Sequence, residues 1–186
     1  LKLFLNAYKN NLTNWIVIGT SSEYGMTLKK NKRVSVNDEL LPTTNYSISK
    51  KIFFETILNT SLNLDTNLIY FRLFPVYGYN EPVHRLIPQL IKNSKKNKEM
   101  IINNSNIRID YSNVIDICKK ILKSSKFKSA KNKYPQVWNL ASGKVITIEN
   151  FIKKYIKINN INIKIKYNKS KNPSMHHISK INSIWT

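Results

Sequence analysis

Two stretches carry a tyrosine followed four positions later by a lysine: "NYSISKK", with Tyr46 and Lys50, and "YNKSKNP", with Tyr167 and Lys171. On a helix, four residues amount to about 40° of rotation and a ~6 Å rise, so the two side chains share a face and reach one ligand. A phenol beside an ammonium is a proton-transfer pair, because the positive charge favours the phenolate that neutral pH disfavours. Spacing alone does not separate chemistry from chance. The chain has 10 tyrosines and 31 basic residues among 186, and only Arg33, Arg72, Arg85 and Arg108 are arginine. About one or two chance matches are therefore expected. Cys118 is alone and, with no histidine near it in sequence, reads as a small buried apolar residue. His84, His176 and His177 lack partners at metal-ligand spacing, so no metal is assigned.

The elements that must position these groups alternate. "WIVIGTSS" is a short apolar run ending in Gly and Ser, the pattern of a buried strand of a parallel sheet whose polar end faces a ligand crevice. A turn-rich loop, 25–44, follows. From Tyr46 to about Leu64 the pattern is helical, with Ile48, Ile52, Leu58 and Leu62 on one side and Phe53, Ile57 and Leu64 on another. A helix apolar on two sides is expected to be buried twice. "NLIYFRLFPVYG" reads as a second buried strand, ended by Pro75 and Gly78. Beyond it the pattern predicts a helix in "RLIPQLIKNSKK" entered through Pro88, a strand "MIIN", a helix "VIDICKKILKSS", a strand "QVWNLAS", a helix "TIENFIKKYIK" and a strand "INIKIKY". This alternation is that of an α/β fold with a mainly parallel sheet.

Composition narrows the function. A chain 41% hydrophobic and 11% aromatic can bury one sizeable core, so one domain, or one domain with a small lobe, is expected. No apolar run approaches the ~18 to 20 residues of a membrane span, and the first residues lack the pattern of a signal peptide. With a lone cysteine, the expectation is a cytoplasmic protein without a membrane partner. The formal charge of +21 would suit a nucleic-acid binder. Its lysines, however, are scattered among asparagines and isoleucines without aromatic-interleaved basic clusters. All three have A/T-rich codons, so base composition accounts for the charge and no nucleic-acid partner is assigned.

Three segments in order, "GTSSEYG", "YSISK" and "RLFPVYG", resemble the extended short-chain dehydrogenases of the NAD-dependent epimerase/dehydratase family, which act on nucleotide sugars. "RIDYSNVIDI" and "VWNLASGKVITIENF" extend the resemblance over nearly the whole chain. It implies a doubly wound, Rossmann-like parallel sheet with a small interleaved substrate lobe. Residues 1–82 would be the second half of the NAD(P)-binding domain, and 83–186 mainly the substrate lobe, with returning Rossmann elements around 108–152. Family members open with a glycine-rich strand, turn and helix that holds the dinucleotide pyrophosphate. The glycines here, Gly19, Gly25, Gly78 and Gly143, are too dispersed for that. The resemblance thus implies an internal fragment lacking about 80 to 100 residues of the mononucleotide-binding half, which by itself would bind NAD(H) poorly.

The resemblance also implies roles. Tyr46 would move a proton at a sugar hydroxyl while the neighbouring carbon exchanges hydride with NAD or NADP, and Lys50 would hydrogen-bond the nicotinamide ribose. Thr20 would hydrogen-bond the reacting sugar oxygen, with Ser21 and Ser22 beside it at the substrate. Dehydratases of the family place acidic residues where Ser21 and Ser22 stand, and Glu23 is one position late, so a 4-keto reductase or a 4-epimerase is favoured over a dehydratase. Pro75 and Val76 match the turn whose backbone faces the nicotinamide, although many members carry Asn at the first of these. Arg85 and Arg108 would contact the nucleotide diphosphate, for which a guanidinium fork is suited. Asp110 and Asp116 would orient Arg108 or cap the next helix. The intact enzyme is expected to be a homodimer acting on a nucleotide-diphosphate sugar; the alternatives are a non-catalytic truncated fragment and a basic nucleic-acid-binding protein.

Overall fold

The computed structural model of the chain describes residues 1–28, 33–64, 66–125, 135–171 and 175–176. Helix α1 (Lys2–Lys9) leads into β1 (Asn14–Thr20), two 3-10 turns (Ser21–Tyr24 and Met26–Leu28) and α2 (Asn45–Asn63). Strands β2 (Asn67–Leu73) and β3 (Val76–Tyr77), α3 (Leu86–Lys95), β4 (Met100–Ile102), β5 (Arg108–Ile109), β6 (Ser112–Asn113) and α4 (Val114–Ser125) follow. The chain continues through β7 (Gln136–Leu140), β8 (Ile146–Thr147), α5 (Ile148–Asn159), β9 (Ile165–Tyr167) and β10 (Met175–His176). The longer elements match the periodicity of the sequence. The two-residue strands β3, β5, β6, β8 and β10 were not separable in it, because two residues carry no period.

The main sheet has the order β1-β2-β7, all parallel, as helical crossovers require. Strand β2 is central and nearly all buried, and its alternation divides the core. Leu68 and Tyr70 face Phe4 of α1 and Phe54 and Ile57 of α2; Ile69 and Phe71 face Ile117 of α4 and Leu140 of β7. Each large apolar side chain buried in this way contributes about 1.5–3 kcal/mol relative to exposure. A separate cluster joins Ile87 and Leu90 of α3, Ile102 of β4, and Phe151 and Ile152 of α5. Small pairings frame it: β4 runs parallel to β9, β3 parallel to β6, and β5 antiparallel to β8 and parallel to β10.

Helix α2 begins at Thr44, whose Oγ1 accepts from the Ser47 amide at 3.2 Å, while the Ser47 hydroxyl accepts from the Thr44 amide at 3.0 Å. Such reciprocal caps satisfy two donors that a helix start leaves unpaired. Burial of this helix differs from expectation. Phe54 and Ile57 are buried, but Ile48, Ile52 and Leu62 are 42%, 58% and 44% exposed. An apolar stripe read from sequence records a face that avoids water, and the chain itself covers only one of the two. Cys118 also differs: it is exposed, because it follows Ile117, the residue α4 turns to the sheet, by about 100° of helix rotation. Pro88 is the third helical residue of α3 rather than its entry, still within the first turn, where a missing N–H is tolerated.

The lobe around α5 provides a test of this packing. Ile152 is fully buried and Ile158 is 66% exposed on the same helix. Urea unfolding of Ile152→Ala should show a loss of about 2–5 kcal/mol, and of Ile158→Ala less than about 0.5 kcal/mol. Equal losses would contradict this core.

Candidate active site

The end of β1 is built around a charged group with no access to water. Glu23 and Arg72 are 0% and 2% exposed, and Nε of Arg72 donates to Oε2 of Glu23 at 3.0 Å. The other carboxylate oxygen, Oε1, accepts from the Thr20 amide at 2.9 Å and from the Tyr70 hydroxyl at 2.8 Å. The guanidinium also donates through Nη1 to the Val36 carbonyl at 3.2 Å and to the Tyr24 hydroxyl at 3.3 Å. The Tyr24 hydroxyl in turn donates to Oδ1 of Asn139 at 2.6 Å, and the Asn139 amide donates to the Val34 carbonyl at 3.1 Å. The rings of Phe54 and Tyr24 lie 4.5 and 5.0 Å from the guanidinium carbon, a cation–π arrangement strengthened by desolvation.

Register explains why these groups meet. Gly19 of β1 pairs with Arg72 of β2, and Arg72 with Asn139 of β7, so one row across the sheet places two polar side chains side by side. Glycine is needed at position 19, since a Cβ there would strike the Tyr70 hydroxyl and Oε1 of Glu23. Burial, followed by the Glu23 charge, pushes the Tyr70 phenol far above its ordinary range. Burial also raises Tyr24, against the opposing pull of Arg72. Both phenols therefore remain neutral donors.

Around this network lie the residues expected to act. Thr20 is half-buried at the strand end and caps the Ser21–Tyr24 turn; its Oγ1 accepts from the Ser22 amide at 3.2 Å, and its O–H is a donor. Ser21 is 2% exposed, whereas Ser22 is half-buried. Tyr46, 57% exposed, and half-buried Lys50 sit one turn apart at the start of α2. Pro75 and Val76 form the half-buried junction of β2 and β3, held where the Ser112 amide donates to the Pro75 carbonyl at 3.0 Å. The second Tyr-x-x-x-Lys copy is not helical: Tyr167 is in β9, its ring 5.4 Å from the Lys153 ammonium. Four residues along a strand do not place a pair as a helix turn does.

The arginines are farther out. Arg85 caps α3 through its backbone and Arg108 lies in β5; both are exposed and neither forms an ion pair among the described residues. Asp110 does not act as expected. It is fully buried and accepts from the Ser142 hydroxyl and from the amides of Ser142 and Gly143, at 3.0 and 2.6 Å. It thus holds the turn after β7, where Gly143 has φ +75°. Asn113, through its hydrogen bond from the Ile115 amide, caps α4 instead; Asp116 is exposed in the first turn. Among the described residues no His, Cys, Asp and Glu cluster could hold a metal ion, and His177 lies outside the described residues.

A cleft of about 1320 Å³ opens between α3, α4 and α5. Tyr77, Tyr111, Phe151 and Tyr155 are among its lining residues, and the Tyr111 phenol is pushed up to about 12 by burial and then by Glu81. None of Thr20, Tyr46, Lys50, Pro75, Val76, Arg85 and Arg108 lines it. Size alone does not mark this cleft as the site. The sequence did contain a signal for the buried network at the β1 end. Arg72 and Asn139 stand within apolar strand runs, and a buried charge must find a partner.

Residues 1–141 match the NAD dependent epimerase/dehydratase family. No curated protein matches the chain. Among solved structures, it is similar to a UDP-N-acetylglucosamine 4-epimerase from Methanobrevibacter ruminantium M1, with 22% identity over 98% of this chain and 59% of that one, and a TM-score of 0.77. It is also similar to the dTDP-glucose 4,6-dehydratase of Bacillus anthracis str. Ames solved with NAD, with 20% identity over 97% and 56% and a TM-score of 0.76. A third is the UDP-glucuronic acid 4-epimerase of Bacillus cereus, in complex with UDP-glucuronic acid and NAD, with 23% identity over 90% and 52% and a TM-score of 0.71. The chain spans little more than half the length of these proteins. With its parallel sheet, its helical Tyr46–Lys50 pair and the match over residues 1–141, the chain belongs to the NAD-dependent epimerase/dehydratase family.

Proposed function

We propose that this chain is the catalytic and substrate-side part of an NAD(P)-dependent enzyme that interconverts or reduces a nucleotide-diphosphate sugar at a ring carbon, as a 4-epimerase or 4-keto reductase. The observation that carries the reading is the convergence at the end of β1. Glu23 holds the amide of Thr20, and Arg72, ion-paired with Glu23, lies against Phe54 of α2, the helix whose first turns carry Tyr46 and Lys50. Bound NAD(P)⁺ would supply a hydride acceptor. The donor set fits its nicotinamide riboside end: the Lys50 ammonium suits ribose hydroxyls, and the Pro75–Val76 turn offers backbone to the carboxamide. Tyr46 then takes a proton from the sugar hydroxyl and returns it to the ketone in the reverse direction. The Thr20 hydroxyl donates to the same oxygen, stabilising charge that develops on it.

The reaction type rests on Glu23. An elimination of water needs its own acid and base, and the carboxylate nearest the serines is sequestered with Arg72. That supports epimerisation or reduction over dehydration. Arg85 and Arg108, exposed and without carboxylate partners among the described residues, are proposed to hold the diphosphate. Residues 1–82, with the returning elements around 108–152, are assigned to the cofactor domain and the remainder to the substrate lobe. The free Cys118 suits a reducing compartment such as the cytoplasm.

In the full-length enzyme, Tyr46→Phe should lower turnover by about 10²- to 10⁴-fold with NADH binding unchanged by fluorescence titration. Tyr167→Phe, which keeps the ring that packs against the α5 cluster, should leave turnover within about twofold. Near-normal turnover in Tyr46→Phe would sink the assignment.

A homodimer is proposed for the intact enzyme, built on the exposed row Ile48, Ile52 and Leu62 of α2. Ile52→Glu should reduce the mass measured by sedimentation equilibrium from dimer to monomer. A dimeric mass retained in this variant would remove α2 from the interface.

A further inference from the structure

We propose that Glu23 is a positioning residue for this chemistry, fixing Thr20 directly and α2, the helix that carries Tyr46, through Arg72 and Phe54. The inference rests on the hydride-transfer reading above and gives the buried carboxylate a positioning part in it. Three observations carry it. Glu23 is wholly buried, yet its two oxygens accept three hydrogen bonds, from the Thr20 amide, the Tyr70 hydroxyl and Arg72 Nε, at 2.8–3.0 Å. Gly19 makes space for this cradle, because a Cβ there would strike both Oε1 of Glu23 and the Tyr70 hydroxyl. The same guanidinium that holds Glu23 lies 4.5 Å from the ring of Phe54 on α2, the helix that carries Tyr46 and Lys50.

These contacts tie a strand end and a helix to one carboxylate. A rotation of the Glu23 side chain would release the Thr20 amide and with it the Ser21–Tyr24 turn, whose cap requires both the Thr20 hydroxyl and Glu23. It would also free the Tyr70 hydroxyl and the Arg72 guanidinium, which lies against Phe54 of α2. The two groups proposed to handle the sugar oxygen would then lose their relative placement, on which such catalysis depends. Here Oε2 serves Arg72, while Oε1 serves Thr20 and Tyr70.

Tyr70→Phe in the full-length enzyme tests this with little disturbance, since it keeps the ring among Phe4, Phe54, Ile57 and Leu68 and keeps the Glu23–Arg72 pair. With activity normalised to NADH-binding sites, kcat should fall about tenfold while KM for the nucleotide sugar and Kd for NADH stay within about twofold. Glu23→Gln should lower kcat further with the same split; if it fails to fold, Tyr70→Phe decides alone. A Tyr70→Phe kcat within about twofold of the parent, or a loss expressed in KM instead, overturns the positioning role. Tyr46→Phe, run in parallel, separates the two readings. If it is inactive while Tyr70→Phe is unimpaired, only the role of Glu23 is lost; if it is active, the functional reading itself fails.

Discussion

The Glu23–Arg72 ion pair is the constraint on which the rest of the arrangement depends. Two full charges are removed from water at the carboxyl end of a parallel sheet, and their desolvation is offset only if every remaining lone pair and N–H finds a partner. That requirement recruits the neighbours. The second carboxylate oxygen draws in Thr20 and Tyr70, and the guanidinium takes the Val36 carbonyl, the Tyr24 hydroxyl and two aromatic faces. Loss of either partner would strand a buried charge, at a cost of about 3–5 kcal/mol.

The network also joins parts of the chain that are distant in sequence. Val34 and Val36 belong to the long loop between β1 and α2, and both of their carbonyls are satisfied by side chains of the central sheet. Gly25 and Met26 close the loop at its other end: Gly25 bridges to Leu41, and the Met26 amide donates to the Leu41 carbonyl at 2.8 Å. These contacts fix the loop that leads from the end of β1 to the start of α2, the helix that carries Tyr46 and Lys50. Asp110 plays the corresponding part after β7, where it holds Ser142 and Gly143 while Lys120 donates to the Ala141 carbonyl at 2.6 Å. Strand ends in this protein are thus shaped by buried carboxylates, and the exposed chemistry stands on them.

Legibility in the sequence followed element length and burial. The strands β1, β2 and β7 and the helices α2, α4 and α5 could be read because seven or more residues, or a continuous apolar run, carry a period. Paired two-residue strands could not. Tyr46 and Lys50 were distinguishable from Tyr167 and Lys171 only by their company, and the helical and strand settings of the two pairs supply the physical reason. Asp110 was misread because a carboxylate near an arginine in sequence need not face it; β5 leaves Arg108 exposed, while Asp110 turns to the β7 end. Cys118 was misread because a single small residue carries no phase.

The sequence by itself determined the class of the fold, the order of its long elements and the residues competent to move a proton. These depend on local period and on side-chain chemistry, both of which are written along the chain. Only the tertiary structure decided which of those residues meet. The partnership of Glu23 with Arg72, 49 positions apart, arises from the register of parallel strands, which aligns Gly19, Arg72 and Asn139 in one row. It likewise decided that one apolar face of α2 stays exposed, because a hydrophobic stripe specifies that a surface avoids water and leaves open what will cover it.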